Sequence, residues 1–310
     1  MTTELPLDLV RTLLTVLDEG TLDAAAGAMH LTPSAISQRI KALEQRTGRV
    51  LLIRAKPVRP TESGQVIARF ARQLAQLEQD TSDELGMTGA EGPARLSIAV
   101  NADSLATWFL PALTRLPTHP PICFELHRED QDHTAALLRE GLVAAAVTSS
   151  AEPVQGCTVR PLGRMRYQPV ASPPFIERWL PGWPEHASFA ELLPTVPVVA
   201  FNRQDDLQDR FARALGHPAA GPMRHYMPSS EGFLAAVAAG MGWGTLPTVQ
   251  AAAGLRAGTL VDLAPHTPID TPLYWQQWKL DSPALALTAA SVAAAAAEAL
   301  LTPELSPRSR

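Results

Sequence analysis

Cysteine is almost missing: Cys123 and Cys157 are the only two in 310 residues, and they have no metal-ligand spacing. A reducing compartment suits them, and packing is the role expected of both. The chain opens without a basic, then apolar, then small-residue signal, so a cytoplasmic protein is expected. The one long weakly polar run, Ala284–Leu301, is mostly alanine and is broken by Thr288, Ser291 and Glu298. It reads as a packed terminal helix and not as a membrane span. No G-x-S-x-G elbow and no H-E-x-x-H pair occur. Gly240-Met-Gly-Trp-Gly244 does not match a dinucleotide fingerprint and is read as a turn from helix to strand. His127 and His133 stand six apart with no nearby cysteine, so no metal site is expected. Trp275 and Trp278 are read as core. No enzyme, no cofactor and no solenoid repeat is therefore expected.

What is present is a cored chain of two or three domains, 46% hydrophobic and 18% charged. The net charge of -5 argues against a uniformly basic nucleic-acid binder. The charge is uneven, however. Residues 39–59 hold Arg39, Lys41, Arg46, Arg49, Arg54, Lys56 and Arg59 against the single acid Glu44. Such a patch can neutralise phosphates while the rest of the molecule stays acidic.

That patch overlaps a short amphipathic helix within Leu31–Glu44. Ile36, Ile40 and Leu43 share one face by 3.6-residue periodicity, and Ser34, Gln38, Lys41 and Gln45 share the other. Thr32 is placed to cap it, with Pro33 at the first helical position. Hydroxyls, an amide and a cation in one stripe suit base edges in a major groove. Ser37 fits either helix packing or this stripe, and Arg39 lies on the flank, where a phosphate contact is expected. Before this helix come one over residues 5–19, stopped by Gly20, and a shorter one capped by Thr21; Ala25 and Ala26 permit close approach. The sequence therefore predicts a helix-turn-helix. The strand-like Val50–Ile53 and the proline-bearing Ala55–Pro60 segment, with Arg54 and Arg59, read as a wing gripping backbone. Thr61 caps a long helix to about Leu85, on which Ile67, Phe70, Leu74 and Leu77 form a 3-4-3 seam suited to a second copy. Met87–Pro93 is the expected hinge.

Beyond Pro93 strands and helices alternate. The first unit has strands at Leu96–Val100, Ile122–His127 and Leu142–Thr148, with helices at Ser104–Leu116 and Gln131–Glu140. The second has strands near Tyr167–Ala171, Val196–Ala200, Arg224–Met227 and Gly244–Pro247, with helices from about Asp205 and at Glu231–Ala239. A strand at Leu273–Trp278 and a helix at Pro283–Leu301 finish the chain. Two α/β lobes with crossings near 160–165 and 265–272 predict a hinged clam that binds a ligand at the carboxyl ends of its strands.

The first 85 residues resemble the DNA-binding domain and linker helix of LysR-type transcriptional regulators. The resemblance rests on Ala24-Ala25-Ala26, Leu31-Thr32-x-Ser34-Ala35-Ile36-Ser37, Ile40-x-x-Leu43-Glu44 and Arg59-Pro60-Thr61-x-x-Gly64. The remainder is similar to the ArgP/LysG-type branch, through Leu96–Trp108, Leu110-Pro-Ala-Leu113, Val198–Phe201 before Asp205-Asp206, and Ser229-Ser230-Glu231. Ala144-Ala145-Ala146-Val147 departs from the Asp-x-Ala-Ile pattern of many LysR-type proteins.

The resemblance implies an α/β chain with a winged helix-turn-helix at 1–61, a linker and dimerisation helix at 62–86 and a hinge at 87–93. Two Rossmann-like subdomains of the periplasmic-binding-protein type 2 would follow: subdomain I at 94–163 and 267–302, subdomain II at 164–266. It implies a homodimer or dimer of dimers on a double-stranded DNA operator, with RNA polymerase as a further partner and no membrane. The effector would be a basic amino acid, lysine, arginine or histidine, and the regulated gene an amino-acid exporter. A different small effector is the alternative; a solute-binding protein or enzyme would leave the helix-turn-helix unexplained.

DNA contacts are accordingly expected from Thr32, Ser34, Ser37, Gln38, Arg39, Lys41, Arg54 and Arg59. Effector contacts are expected from the loops at strand ends: Asn101, Asp103 and Ser104; Glu129 and Asp130; Asp205 and Asp206; Ser229, Ser230 and Glu231. Serines and helix N-termini, with Ser104 as a cap, would meet the carboxylate of a cationic amino acid. The acids would meet its ammonium or guanidinium. Each acid read singly is equally well a cap or a solvated loop residue.

Overall fold

The structure is a computed structural model in which residues 4–85, 94–118, 121–129 and 134–302 are described. The expected hinge at 87–93, together with Asp130 and His133, lies outside the described residues.

The head is built from short-range signals. Helix α1 spans Leu7–Glu19 and ends on Gly20 in the left-handed conformation. Helix α2 spans Leu22–Ala28, with the Thr21 hydroxyl accepting from Ala24 N. Helix α3 spans Pro33–Thr47, with the Thr32 hydroxyl accepting from Ala35 N and Gly48 ending the helix. Val10, Leu13 and Val16 of α1, Ala25 and Ala26 of α2, and Ile36, Ile40 and Leu43 of α3 form one core. Strands β1 (Leu52–Ile53) and β2 (Arg59–Pro60) pair antiparallel as the wing, shorter than the run Val50–Ile53 suggests.

Helix α4 (Glu62–Glu84) starts against that wing. The Thr61 hydroxyl accepts from Gly64 N at 3.1 Å, while Thr61 N donates to Leu51 O at 2.9 Å. A Cβ on Gly64 would stand 2.0 Å from Leu51 O, so only glycine admits this approach. The expected seam on α4 is split. Ile67 packs on the head core, whereas Phe70 and Leu77 stay exposed beside Val66.

Past the linker come β3 (Ala94–Asn101), α5 (Ala102–Ser104), a π-helical stretch at Leu105–Phe109, α6 (Leu110–Thr114), β4 (Ile122–Glu129), α7 (Thr134–Glu140) and β5 (Ala145–Thr148). Next are β6 (Cys157–Ala171), α8 (Pro173–Trp179), α9 (Phe189–Leu192), β7 (Val198–Ala200), α10 (Leu207–Ala214), β8 (Arg224–Tyr226) and α11 (Ser230–Ala238). The chain ends with β9 (Gly244–Pro247), α12 (Thr248–Ala257), β10 (Val261–Asp262), β11 (Ile269–Trp278) and α13 (Pro283–Ala299). No helix among the described residues is long and apolar enough to cross a membrane.

The main sheet is mixed, with order β10-β6-β11-β5-β3-β4 and β9 also on β6. β3 is parallel to β4 and β5, as alternation predicts, but β6 and β11 run antiparallel to each other and to their other neighbours. These two long strands carry the chain between the lobes, with a register shift at Leu273/Tyr274. β7 and β8 form a separate parallel pair in the second lobe. The expectation of a strand only near Tyr167–Ala171 missed the first half of β6. The exposed Arg160-Pro161 pair and the arginines at 164 and 166 hide it as a strand. Helices α8 and α12 were not anticipated either. Ala145–Val147 are buried in β5, where two neighbouring strands flank them, so small apolar residues fit without the acid common in the family.

Candidate functional site

Two surfaces carry the chemistry. On the head, α3 turns Ile36, Ile40 and Leu43 inward, which leaves Thr32, Ser34, Gln38 and Lys41 exposed. Arg54 and Arg59 are exposed on the wing. Ser37 and Arg54 line a cavity of about 180 Å³ between α3 and the wing, with Ile40, Glu44 and Val58. Glu44 Oε1 accepts from Leu51 N at 2.9 Å and so ties α3 to the wing. Arg39 is the departure. It is partly buried and donates from Nη1 to Thr12 Oγ1 of α1 at 3.3 Å, so it braces helix on helix where a phosphate contact was expected. Thr32 spends an oxygen lone pair on the cap and keeps its O–H to donate.

The second surface is a cavity of about 350 Å³ between the lobes. Asn101, Ala102 and Asp103 reach it from the end of β3, as strand carboxyl ends should. Asp205, Asp206, Gln208 and Arg210 reach it from the start of α10. Tyr167, Thr245 and Thr271 come from β6, β9 and β11.

Asp103 is the most constrained of these. Its Oδ1 accepts from Ser230 Oγ at 2.7 Å and its Oδ2 from Tyr167 Oη at 2.9 Å, so its carboxylate joins the first lobe to the second. Burial raises its pKa above the ordinary value, and the charges of Asp205 and Glu231 push the same way against the two hydrogen bonds. Asp205 accepts from Phe201 N at 2.8 Å and Leu207 N at 3.0 Å. Burial raises its pKa too, the two amide bonds and Gln208 opposing. A carboxylate only accepts, so Gln208 turns its amide N–H to Asp205 and keeps its carbonyl oxygen unpaired. Asn101 Oδ1 and Thr245 Oγ1 are likewise buried and without a partner among the described residues. Arg210 lines the same cavity, its Nη1 reaching Thr271 Oγ1 at 3.5 Å.

The remaining expected residues fall as follows. Asp206 lines the cavity but is mostly exposed and meets Arg213 at 3.3 Å. Ser104 neither caps nor lines it: the cap position is Asn101, without a side-chain bond, and Ser104 is fully buried one turn into the helix. Ser229 caps α11 through Gly232 N and donates to Glu231 Oε2, while Ser230 is taken by Asp103. These serines therefore serve protein groups, and Arg210 is the cation in the wall. Glu129 pairs with Asn101 in the β3–β4 register, at the cavity end of the sheet. Tyr167, Gln208, Arg210, Thr245 and Thr271 were missed. Arg210 had a signal, four residues after Asp206 at the start of a helix; Tyr167 and Thr245 had none, since only sheet register brings them here. Among the described residues no cluster of three His, Cys, Asp or Glu is arranged to hold a metal ion.

Two family models match the chain. Residues 7–65 match the bacterial regulatory helix-turn-helix protein, lysR family, and residues 89–297 match the LysR substrate binding domain. The lysine export transcriptional regulatory protein LysG of Corynebacterium efficiens is 45% identical over 289 residues, which covers 92% of this chain and 96% of that protein. The crystal structure of ArgP from Mycobacterium tuberculosis superposes with a TM-score of 0.87 at 44% identity, over 95% of this chain and 98% of that one. Full-length LysG from Corynebacterium glutamicum with bound effector Arg gives a TM-score of 0.79 at 39% identity, over 96% and 99% of the two chains.

Proposed function

The chain belongs to the LysR family of DNA-binding transcriptional regulators, and from that premise we propose that a basic amino acid held between its lobes switches it. The observation that carries this reading is the composition of the cavity wall: three acids, Asp103, Asp205 and Asp206, line it together with one guanidinium, Arg210. A zwitterion with an added cation matches that layout. Its carboxylate pairs with Arg210, and its ammonium and side-chain cation meet the acids and the unpaired oxygens of Asn101 and Gln208. A neutral aliphatic amino acid would leave acids desolvated without a partner. The relative with arginine bound supports the same class of effector.

On the head, Ser34, Gln38 and Lys41 read base edges, with Thr32 and Ser37 beside them, and Arg54 and Arg59 grip phosphates. Val66, Phe70 and Leu77, exposed along α4, pair with a second copy, giving a dimer or dimer of dimers on a double-stranded operator. The regulated gene is an amino-acid exporter, in keeping with the name of the Corynebacterium efficiens relative. RNA polymerase is the further partner, and the cytoplasm the compartment.

Calorimetry on the purified chain tests the effector. L-Arginine and L-lysine should bind at least tenfold more tightly than L-leucine; equal affinities would overturn the assignment.

A further inference from the structure

One side chain of the linker helix bonds to two other parts of the molecule. Arg72 Nη2 donates to Asp18 Oδ1 of α1 at 2.7 Å, and Nη1 donates to Glu140 O at the end of α7 at 3.3 Å. Arg69, three residues earlier on the same face of α4, donates from Nη1 to Arg139 O at 3.4 Å. Two guanidiniums therefore cover carbonyls in the last turn of α7, which a helix leaves unpaired and partly negative. The backbones nearly touch there. A Cβ on Gly141 would lie 2.7 Å from Arg69 Cα, and Gly141 holds φ at +75°. The Arg72 side chain is only 20% exposed, so the guanidinium is packed at the joint, while its partner Asp18 is 53% exposed on the head side. Arg11 of α1 and Glu78 of α4 add a second tie between head and stalk.

Helix α7 packs in turn on β3 and β5, and β3 leads directly into Asp103. A continuous packed path thus joins the cavity wall to α1 through β3, α7 and Arg72. We propose that Arg72 is the joint through which the lobes set the angle of the DNA-reading head. Its fork is rigid and holds one acceptor on each side. A displacement of the end of α7 therefore either drags Asp18 with it or breaks one of the two bonds. The ligand used to test this rests on the effector reading above; the joint itself does not.

The chain supplies its own probe. All six tryptophans, at 108, 179, 183, 243, 275 and 278, lie beyond the linker helix. Tryptophan fluorescence on heating follows the lobes alone, while far-ultraviolet circular dichroism follows every helix. In the wild-type full-length chain the two melting curves should coincide. In Arg72→Ala the dichroism should separate an earlier transition by about 4–8 °C. Asp18→Asn, which breaks the head side only, should separate the same transition, and the double variant should add nothing further. Arg72→Lys, able to reach one acceptor at a time, should fall between. Arginine affinity by calorimetry should stay within twofold in all four, while the change that arginine causes in affinity for upstream DNA should shrink at least fivefold. Coincident melting curves in Arg72→Ala would overturn the proposal, as would an undiminished arginine response on DNA. If arginine does not bind the wild-type chain, the effector reading alone falls, and the ligand-free melting curves still decide the joint.

Discussion

The head and the cleft are made in opposite ways. In the head, touching residues are close in the chain: Leu13, Ala25, Ile36 and Leu43 meet within some thirty positions, on helices that a glycine or turn stops and, for α2 and α3, a threonine hydroxyl caps. In the cleft, the wall takes Asp103, Tyr167, Asp205, Arg210, Thr245 and Thr271 from five different elements or their ends. Local periodicity builds the first; sheet register builds the second. A reader of DNA needs one rigid face, and three short helices supply it. A sensor needs groups on two bodies that move relative to each other, and only long-range topology supplies that. The two should therefore fail separately when mutated.

The largest expected effect tests that separation on the head side. Leu13 is fully buried among the three helices, and Leu13→Ala should destabilise the head by about 2–5 kcal/mol. Retardation of upstream DNA in a gel should be lost near physiological temperature, while arginine affinity at 25 °C by calorimetry stays within twofold. A parallel loss of arginine binding would mean that the two regions share a core.

Asp103→Asn breaks the comparison from the other side. It keeps the shape but removes the charge. Hydrogen bonds to charged groups contribute about 1.5–3 kcal/mol, so arginine affinity should fall about 10- to 150-fold. DNA affinity without arginine should not change. The pH dependence follows with a definite sign. Burial holds Asp103 and Asp205 above the ordinary 3.8, so in the free chain both take up protons on acidification before an exposed acid would. A cation favours their ionised forms. Arginine affinity should therefore fall as pH drops into that raised range, and binding there should release protons. Without ligand the same shift means that ionising these acids as pH rises costs folding stability, the reverse of a salt-bridged acid. Titrations in two buffers of different ionisation heat measure the released protons. Asp103→Asn should diminish the release, and an unchanged release would assign it to Asp205.

What the sequence could tell follows the same division. Caps and periodicity located α1 to α4 to within two or three residues, because each signal and its consequence lie within one helical turn. The acids at 103 and 205–206 were visible because strand carboxyl ends are where such folds bind ligands. The serines were harder: Ser104 is buried inside its own short helix, and whether the Ser230 hydroxyl faces a ligand or a protein carboxylate depends on the other lobe. Arg39 misled for the same reason, since its partner Thr12 lies 27 positions away. Tyr167 and Thr245 left no local mark at all, because their place in the cavity with Asp103 is a property of β6 register and lobe packing.

The smallest expected effect sharpens the comparison inside the head, where the proposed roles of α3 and the wing differ. Gln38 is exposed on the side of α3 opposite Ile36 and Ile40, and its amide can pair with both hydrogen-bonding positions of one adenine edge. Gln38→Ala should cost about 1–3 kcal/mol on the preferred operator and little on duplexes altered at that one base pair, so discrimination collapses at a single position. Arg54 is exposed on the wing, where the proposed role is a phosphate contact. Arg54→Ala should weaken every duplex by the same factor and lower the slope of log affinity against log salt by about one. Competition gel shifts over a set of single-base operator variants at three salt concentrations separate the two outcomes. If Arg54→Ala also erased a base preference, the wing would be reading sequence, and specificity would no longer belong to α3 alone.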